Sequence, residues 1–509
     1  MILLENARIY RYDAQMRRFT MHRNLLISDG RIAALDCGEP SGVRRYDLQG
    51  ATVLPAFADC HVHLAGTGYA LGERNLAGVR SYDEFDAAIA CVPREDGTVY
   101  AAQYDDARWR DGRSADALPL ERHHAGARAM AVRVDAHSCL VNAATLSWLK
   151  LPNDMPGIER DADGTPTGRL NLDANWTAQS AFIGAFSGAA VHNAERRAVE
   201  LALRNGAVHL HAQLLGRARE EYAHDIDALR GLPAKIHPKV CEPDAMLAQE
   251  LGLRSIGGDV FLDGSIGSCT AALGEPYAGS TARGALRFSD DEVHEYFARA
   301  EELGIAAGVH AIGDGAIDQC MRTWERVLGG RPSPRGVRHF IEHFEMATDE
   351  HIEACSRMNI YVSMQPQFDA AWANEGGMYD ERLGTERSHR MNRLADITQS
   401  GAVLCGGTDS PVCVLEPLAA MQACLDHHQE SQRLDAHAAL AAFTVNAARF
   451  GYAESLTGNC APGLAADLAV LDRDPFISPS GAAFGDANVL QTWVDGSIAY
   501  DAATGFVPR

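Results

Sequence analysis

Eight apolar, strand-like runs, many of them separated by helix-like stretches, constrain this sequence more than any other feature. They are TVLPAFADCHVHL (52–64), GAVHLHAQ, AKIHPKV, GGDVFLDG, IAAGVHAIG, RHFIEH, NIYVSMQP and AVLCGGTDS. Thr52–Leu64 reads as one strand buried on both faces, as parallel sheets require. Helical stretches such as DDEVHEYFARAEEL and AIDQCMRTWERVL lie between several of the runs, and a further helix is expected at about Ala194–Asn205. Eight alternating units predict an α/β chain folded as a (β/α)8 barrel, which builds its active site at the C-terminal ends of the strands.

Polar residues fall at those ends. His61 and His63 close the first run, and residues two apart on a strand project to one side. His-x-His alone carries little information: with 20 histidines in the chain, chance supplies about one, and His209-Leu210-His211 is a second copy. Position carries more. His310, His343 and Asp409 likewise follow apolar runs, which gives five candidate groups on four strand ends. Several imidazoles with one carboxylate make a ligand set for zinc, or for iron, manganese or cobalt.

Both chain ends differ from the middle. Residues 1–50 alternate apolar and polar positions, with Asp29-Gly30 placed as a hairpin turn, and DLAVLDRD and VLQTWVDGSIAYD repeat that texture near the C-terminus. Residues 1–51 and 459–509 are therefore expected to pair into a small β-sandwich beside a barrel spanning 52–458. About 66–190 reads as a long irregular insertion after the first barrel strand, and loops of that length usually carry function.

Composition narrows the partners. A formal net charge of −22 repels nucleic acid and anionic membranes, so a small-molecule substrate is expected. No apolar stretch reaches the ~20 residues of a membrane span. The N-terminal MILLENARIY lacks a signal peptide's basic start, so a cytoplasmic location is expected. Twelve cysteines without C-x-x-C spacing read as reduced and largely buried, although Cys60, Cys269 and Cys405 lie near the strand-end motifs. A homodimer is compatible with the sequence.

The motifs FLDGSIGSCTAALGEPY, HAIGDGAID, FIEHF, SMQPQF and GGTDSPV, with LPAFADCHVHL before them and GLAADLAVLDRDP after, resemble the amidohydrolase superfamily. Within it they resemble the YtcJ-like subgroup (amidohydrolase family 3), over nearly the whole chain. The resemblance implies a distorted (β/α)8 TIM barrel, a flanking β-sandwich and a metal-dependent hydrolase. By match of motif, His61, His63, His310 and His343 would be metal ligands, and Asp409 a ligand and the general base. One position departs from the pattern: Asp259 stands where the subgroup usually carries a lysine whose carbamate bridges two metals. An aspartate reaches roughly 4–5 Å less far, which favours one metal with Asp259 hydrogen-bonded near the site. Lys239 and Glu242 read as surface residues. Smaller departures are Ala56 for a glycine and Cys269 for an arginine.

The expected chemistry is hydrolysis of an amide, N-formyl or cyclic amide C–N bond by metal-activated water. Asp409 would move the proton, and His343 would steady the oxyanion if it is not a ligand. Gln103, Tyr104, His137 and Asn171 in the insertion would line the pocket. The alternatives are a deaminase or an ester or lactone hydrolase on the same metal, or a metal-poor binding scaffold.

Overall fold

A computed structural model describes residues 1–38, 42–72, 74–94, 96–215, 219–477 and 483–507. The fold is mixed α/β. Strands from both chain ends share one seven-stranded sheet: Gly505–Phe506, Ser497–Asp501, Val489–Val494, Leu468–Leu471, Thr52–Pro55, Arg8–Asp13 and Arg18–His22, in that order. A four-stranded sheet of Arg31–Leu35, Leu25–Ser28, Ile2–Glu5 and Arg44–Asp47 accompanies it. Apolar side chains of both, among them Leu4, Ile27, Val53, Leu468 and Trp493, form one buried cluster. Asp29-Gly30 and Asp495-Gly496 both turn hairpins with positive φ at each residue, the primed geometry that matches strand twist.

Thr52–Leu64 is not one strand. Thr52–Pro55 pairs with Leu468–Leu471 in the terminal sheet, Val53 opposite Val470. At Ala56 the chain steps across, and Phe57–Val62 begins a second sheet beside Ala207–Leu214. Both pieces are fully buried, so hydrophobicity alone shows no boundary between them.

Eight parallel strands follow from that step, in two arcs. Phe57–Val62, Ala207–Leu214 and Lys235–Val240 make the first. Ser255–Ile256, Ala306–Ala311, Phe340–His343, Tyr361–Met364 and Leu404–Gly406 make the second. The strands do not run into one continuous closed barrel among the described residues. Isolated contacts span the gaps: Val62 bridges Ser410, and the Gly257 N–H donates to the Val240 carbonyl at 2.8 Å. Helices pack outside, including Asp290–Leu303, started by a Ser289/Glu292 capping box, and Asp314–Leu328. Phe297 of the first stacks on Trp324 of the second at 3.7 Å. The helix expected near 194 starts earlier, spanning Gly188–Arg204.

The segment expected to be irregular is a folded lobe. Its six-stranded sheet runs Ile158–Arg160, Pro166–Asn171, Ser138–Val141, Ala129–Arg133, Val99–Tyr104, Arg74–Asn75. Separate apolar clusters cover it, one around Tyr100, Met130 and Phe182, another around Phe85, Tyr104 and Trp109.

Candidate metal centre

The first strand delivers His61 and His63 side by side, their ring centroids 5.4 Å apart. Asp59, two residues earlier, fastens this strand to the eighth: its carboxylate accepts the Thr408 N–H at 3.0 Å and hydroxyl at 2.5 Å, and the His61 N–H at 3.1 Å. Burial lifts its pKa to about 6 against those bonds. Beyond Thr408, Asp409 takes up a left-handed backbone (φ 54°), as does His343 (φ 70°) at the end of the sixth strand. Non-glycine residues held there are strained and cluster at functional sites.

Asp259 arrives by an irregular route. The fourth strand ends at Ile256, and Gly257 and Gly258 follow with φ of 83° and 98°. A Cβ on Gly257 would lie 2.1 Å from the Gly308 carbonyl oxygen, so only glycine allows this turn. The turned backbone carries a short side chain inward, where a regular strand would have left it behind.

Four of the expected residues and Asp259 therefore converge. His61 Nε2 lies 3.4 Å from both Asp259 Oδ2 and Asp409 Oδ1. His63 Nε2 lies 3.1 and 3.0 Å from the same two oxygens, and His343 Nε2 is 3.9 Å from Asp259 Oδ1. Burial opposes charge on His61, but the carboxylates of Asp259, Glu342 and Asp409 outweigh it and raise its pKa well above 6.5. Burial also opposes charge on Asp409, and the His61 and His63 imidazoles outweigh it, holding the carboxyl below its ordinary value. His61 Nε2, Asp259 Oδ1 and Asp409 Oδ1 are buried without a hydrogen-bond partner. Orphaned donors of this kind are costly unless something occupies the point they face, and lone pairs with two negative charges suit a divalent cation. The residues fit a metal.

Two donor groups are present, His61/His63/Asp259 and His61/His343/Asp409. Both use His61, whose Nδ1 is already engaged 3.0 Å from Glu342 Oε2.

His310 stands apart. Its ring is 4.5 Å from that of His343, but its nitrogens join neither group and have no hydrogen-bond partner. Burial, then the neighbouring His343, pushes its pKa well below 6.5, so it is neutral.

Sequence reasoning missed the pair behind His61. Lys239 is fully buried, its Nζ 3.0 Å from Glu342 Oε1 and held 4.0 and 3.8 Å from the ring centroids of Phe340 and Phe450. It is no surface residue. Glu342 accepts from Lys239 and faces His61 Nδ1 with its other oxygen at 3.0 Å, where Gln213 Nε2 also approaches at 3.2 Å, and these contacts fix the imidazole's orientation, as carboxylates behind metal-binding histidines do. Burial would raise its pKa, but the Lys239 and His61 charges hold it down at about 2. The signal was available: a charged residue inside a doubly buried run needs a buried partner.

Of the expected lining residues, Gln103 and His137 border a cavity of about 560 Å³ that opens on the centre. Tyr104 does not: it follows Gln103 on one strand, so it faces the other side, packed against Phe85. Asn171 borders neither cavity at the centre. Glu242 lines the large one and accepts the Tyr222 hydroxyl at 3.2 Å. Cys60 and Cys405 are buried away from both cavities, and Cys269 is half-buried outside their walls.

The second His-x-His is structural. His209 pairs with Asp467 at 3.1 Å, and His211 stacks on His237 and Phe450. Asp369, His427 and His428 also cluster, but His427 Nδ1 accepts the Gln429 N–H and Nε2 donates to the Asn392 carbonyl, so it has no lone pair to give.

A solved metal-dependent hydrolase from Pyrococcus horikoshii OT3 shares this fold, with a TM-score of 0.74 over 94% of this chain and 99% of that one, at 24% identity. The amidohydrolase family model matches residues 44–500, and the chain belongs to that family. YtcJ of Bacillus subtilis (strain 168), an amidohydrolase by name, is 26% identical over 494 residues, covering 89% of this chain and 90% of its own. An N-substituted formamide deformylase from Arthrobacter pascens is 24% identical over 559 residues, covering 98% of each chain. No helix among the described residues is long and apolar enough to cross a membrane.

Proposed function

We propose that this chain is a metal-dependent hydrolase of non-peptide C–N bonds, with N-substituted formamides and related amides as its substrates. The observation that carries the reading is the buried convergence of His61, His63, His343, Asp259 and Asp409, with three of their donor atoms unpartnered. The formamide relative supports the substrate class. The two parallel arcs are read as a distorted (β/α)8 barrel, and the two terminal sheets as its flanking sandwich.

One zinc ion, or iron, manganese or cobalt on the same donors, would supply an acidified water and a polarised carbonyl. Asp409 turns Oδ1 toward His63 and His61, which leaves Oδ2 to take a proton from the attacking water and return it to the leaving nitrogen. His343 donates Nδ1–H to Gln365 Oε1 at 2.8 Å, so its Nε2 carries a lone pair and serves as a ligand, not as an oxyanion donor. Neutral His310, on the cavity wall with its Nδ1 3.4 Å from Asp263 Oδ1 and its Nε2 without a hydrogen-bond partner, takes the oxyanion role in its place.

The test is metal analysis with activity. Purified protein should carry close to one divalent ion per chain, and its removal by a chelator should abolish hydrolysis of an N-alkylformamide, with recovery on adding the metal back. Full activity in metal-free protein would refute the proposal.

A further inference from the structure

One imidazole of the lobe stands at the metal centre without belonging to it. His137 borders both cavities there, as His310, His343 and Asp409 do. Its ring lies 5.1 Å from that of His310, and Trp176 and Phe261 meet it at near right angles, 5.2 and 5.4 Å away. It joins neither donor group. The residue is only 7% exposed, yet neither ring nitrogen has a hydrogen-bond partner among the described residues. Polar groups buried this deeply are ordinarily paired, and a ring left open on a substrate cavity has its partner in the substrate. Burial, then the neighbouring His310, pushes its pKa down to about 3, so the ring is neutral and carries one N–H.

The backbone is strained to hold the ring there. Ala136, just before it, is left-handed at φ 56°, a conformation that non-glycine residues keep chiefly at functional sites. Asn175 and Gln179 of the helix Leu172–Gly184 both donate to the Ala136 carbonyl, at 3.0 and 2.7 Å. Asp135 fastens the turn to the barrel. Its Oδ2 accepts the Ser265 and Ser268 hydroxyls at 2.7 and 2.8 Å, with Arg133 Nη1 at 2.7 Å, and its Oδ1 accepts the His137 N–H at 3.2 Å. Ser265 lies two residues after Asp263, the carboxylate that faces His310. One barrel loop therefore sets His137 and His310 against each other.

We propose that His137 is a further catalytic residue, donating its ring N–H, beside His310, to the carbonyl oxygen of the scissile amide. The bond tightens as that oxygen gains charge, and two donors on one oxygen make an oxyanion hole whose stabilisation is felt mainly in the transition state. The lobe is then part of the catalytic apparatus and not only its cover. The inference rests on the amide-hydrolase reading above.

The experiment compares metal-loaded native enzyme with His137→Phe, which keeps a ring between Trp176 and Phe261 but has no N–H, and with His137→Gln, which restores a donor. Metal content and Tm should stay at native values in both, because His137 is outside the donor groups. For N-phenethylformamide, His137→Phe should lower kcat on the order of 10²–10³ with little change in KM, and His137→Gln should recover at least tenfold of that loss. Calorimetric binding of ethylphosphonate, whose tetrahedral oxygens mimic the oxyanion, should be at least tenfold weaker in His137→Phe. A residue that only packs would leave kcat and phosphonate binding in His137→Phe at native levels, and that result would overturn the inference alone. A loss confined to KM would overturn it too. If His137→Phe misfolds, His137→Leu against His137→Gln makes the same comparison, and equal kcat in those two would overturn it. No hydrolysis of the formamide by the native enzyme would overturn the amide reading, and the inference with it.

Discussion

Glu342→Gln removes one charge from a side chain of nearly constant size, and its two consequences can be measured separately. The Lys239 ammonium, 3.0 Å from Glu342 and enclosed by Phe340 and Phe450, is left buried and unpaired. Breaking one side of a buried ion pair costs about 3–5 kcal/mol. Unfolding entropy of ~2.1 cal/mol/K per residue gives a chain of this length about 1 kcal/mol/K, so Tm should fall by about 3–5 °C. The other consequence is at His61, which loses the carboxylate charge 3.0 Å from its Nδ1, and metal affinity should weaken about 10–100-fold. Thermal unfolding at fixed scan rate reads the first, and competition against a chromophoric chelator reads the second. Adding Lys239→Met should restore most of the lost stability, because the stranded charge is gone, but none of the lost affinity. The acid limb should change too. Glu342 is held at about 2 against an ordinary 4.5, so its stabilisation is complete above 4.5 and is lost as pH falls toward 2. Glu342→Gln should flatten that window. An unchanged Tm and an unchanged metal Kd in Glu342→Gln would refute the reasoning.

Asp409→Asn keeps size but removes the proton acceptor, and kcat should drop on the order of 10²–10⁴ in formamide hydrolysis. Asp259→Asn should lower metal content about as much as His63→Ala, measured by elemental analysis, because its carboxylate lies 3.1 Å from His63 Nε2. Asp467 is held below its ordinary pKa; burial opposes this, and the His209 hydrogen bond with the His209 and Lys235 charges outweighs it. A depressed carboxyl stabilises above about 3.8 and loses that contribution as pH falls, so Asp467→Asn should reduce Tm at pH 7 while narrowing the difference from the native protein in acid. Deleting 459–509 removes the strand opposite Thr52–Pro55, and residues 1–50 should become sensitive to limited proteolysis.

The strand ends were legible because chemistry at a buried rim leaves few residue types to choose from. His61, His63, His343 and Asp409 stand out as polar groups that close apolar runs. Asp259 was read as falling short because a regular strand was assumed, and the Gly257-Gly258 turn that carries it inward depends on a close approach to Gly308 that no local pattern reveals. His310 sits in an equally persuasive motif, and its ring lies 4.5 Å from that of His343 without joining either donor group, a distinction finer than spacing can resolve. Lys239 and Glu342 lie 103 residues apart, and only their shared need for a buried partner links them. The lobe at 66–190 hid its order because its strands are short and mixed in direction, so no single period runs through it.

The step at Ala56 has a consequence for how the molecule comes into being. Four residues separate it from His61, and the strand just before it hydrogen-bonds to Leu468–Leu471, far along the chain. Contacts between such distant segments form late, since loop closure must precede them. During synthesis His61 and His63 are made long before Leu468–Leu471, and until then they lack the sheet that anchors them. The centre is therefore completed at the close of folding, and a truncated product should emerge with most of its helices and little grip on metal.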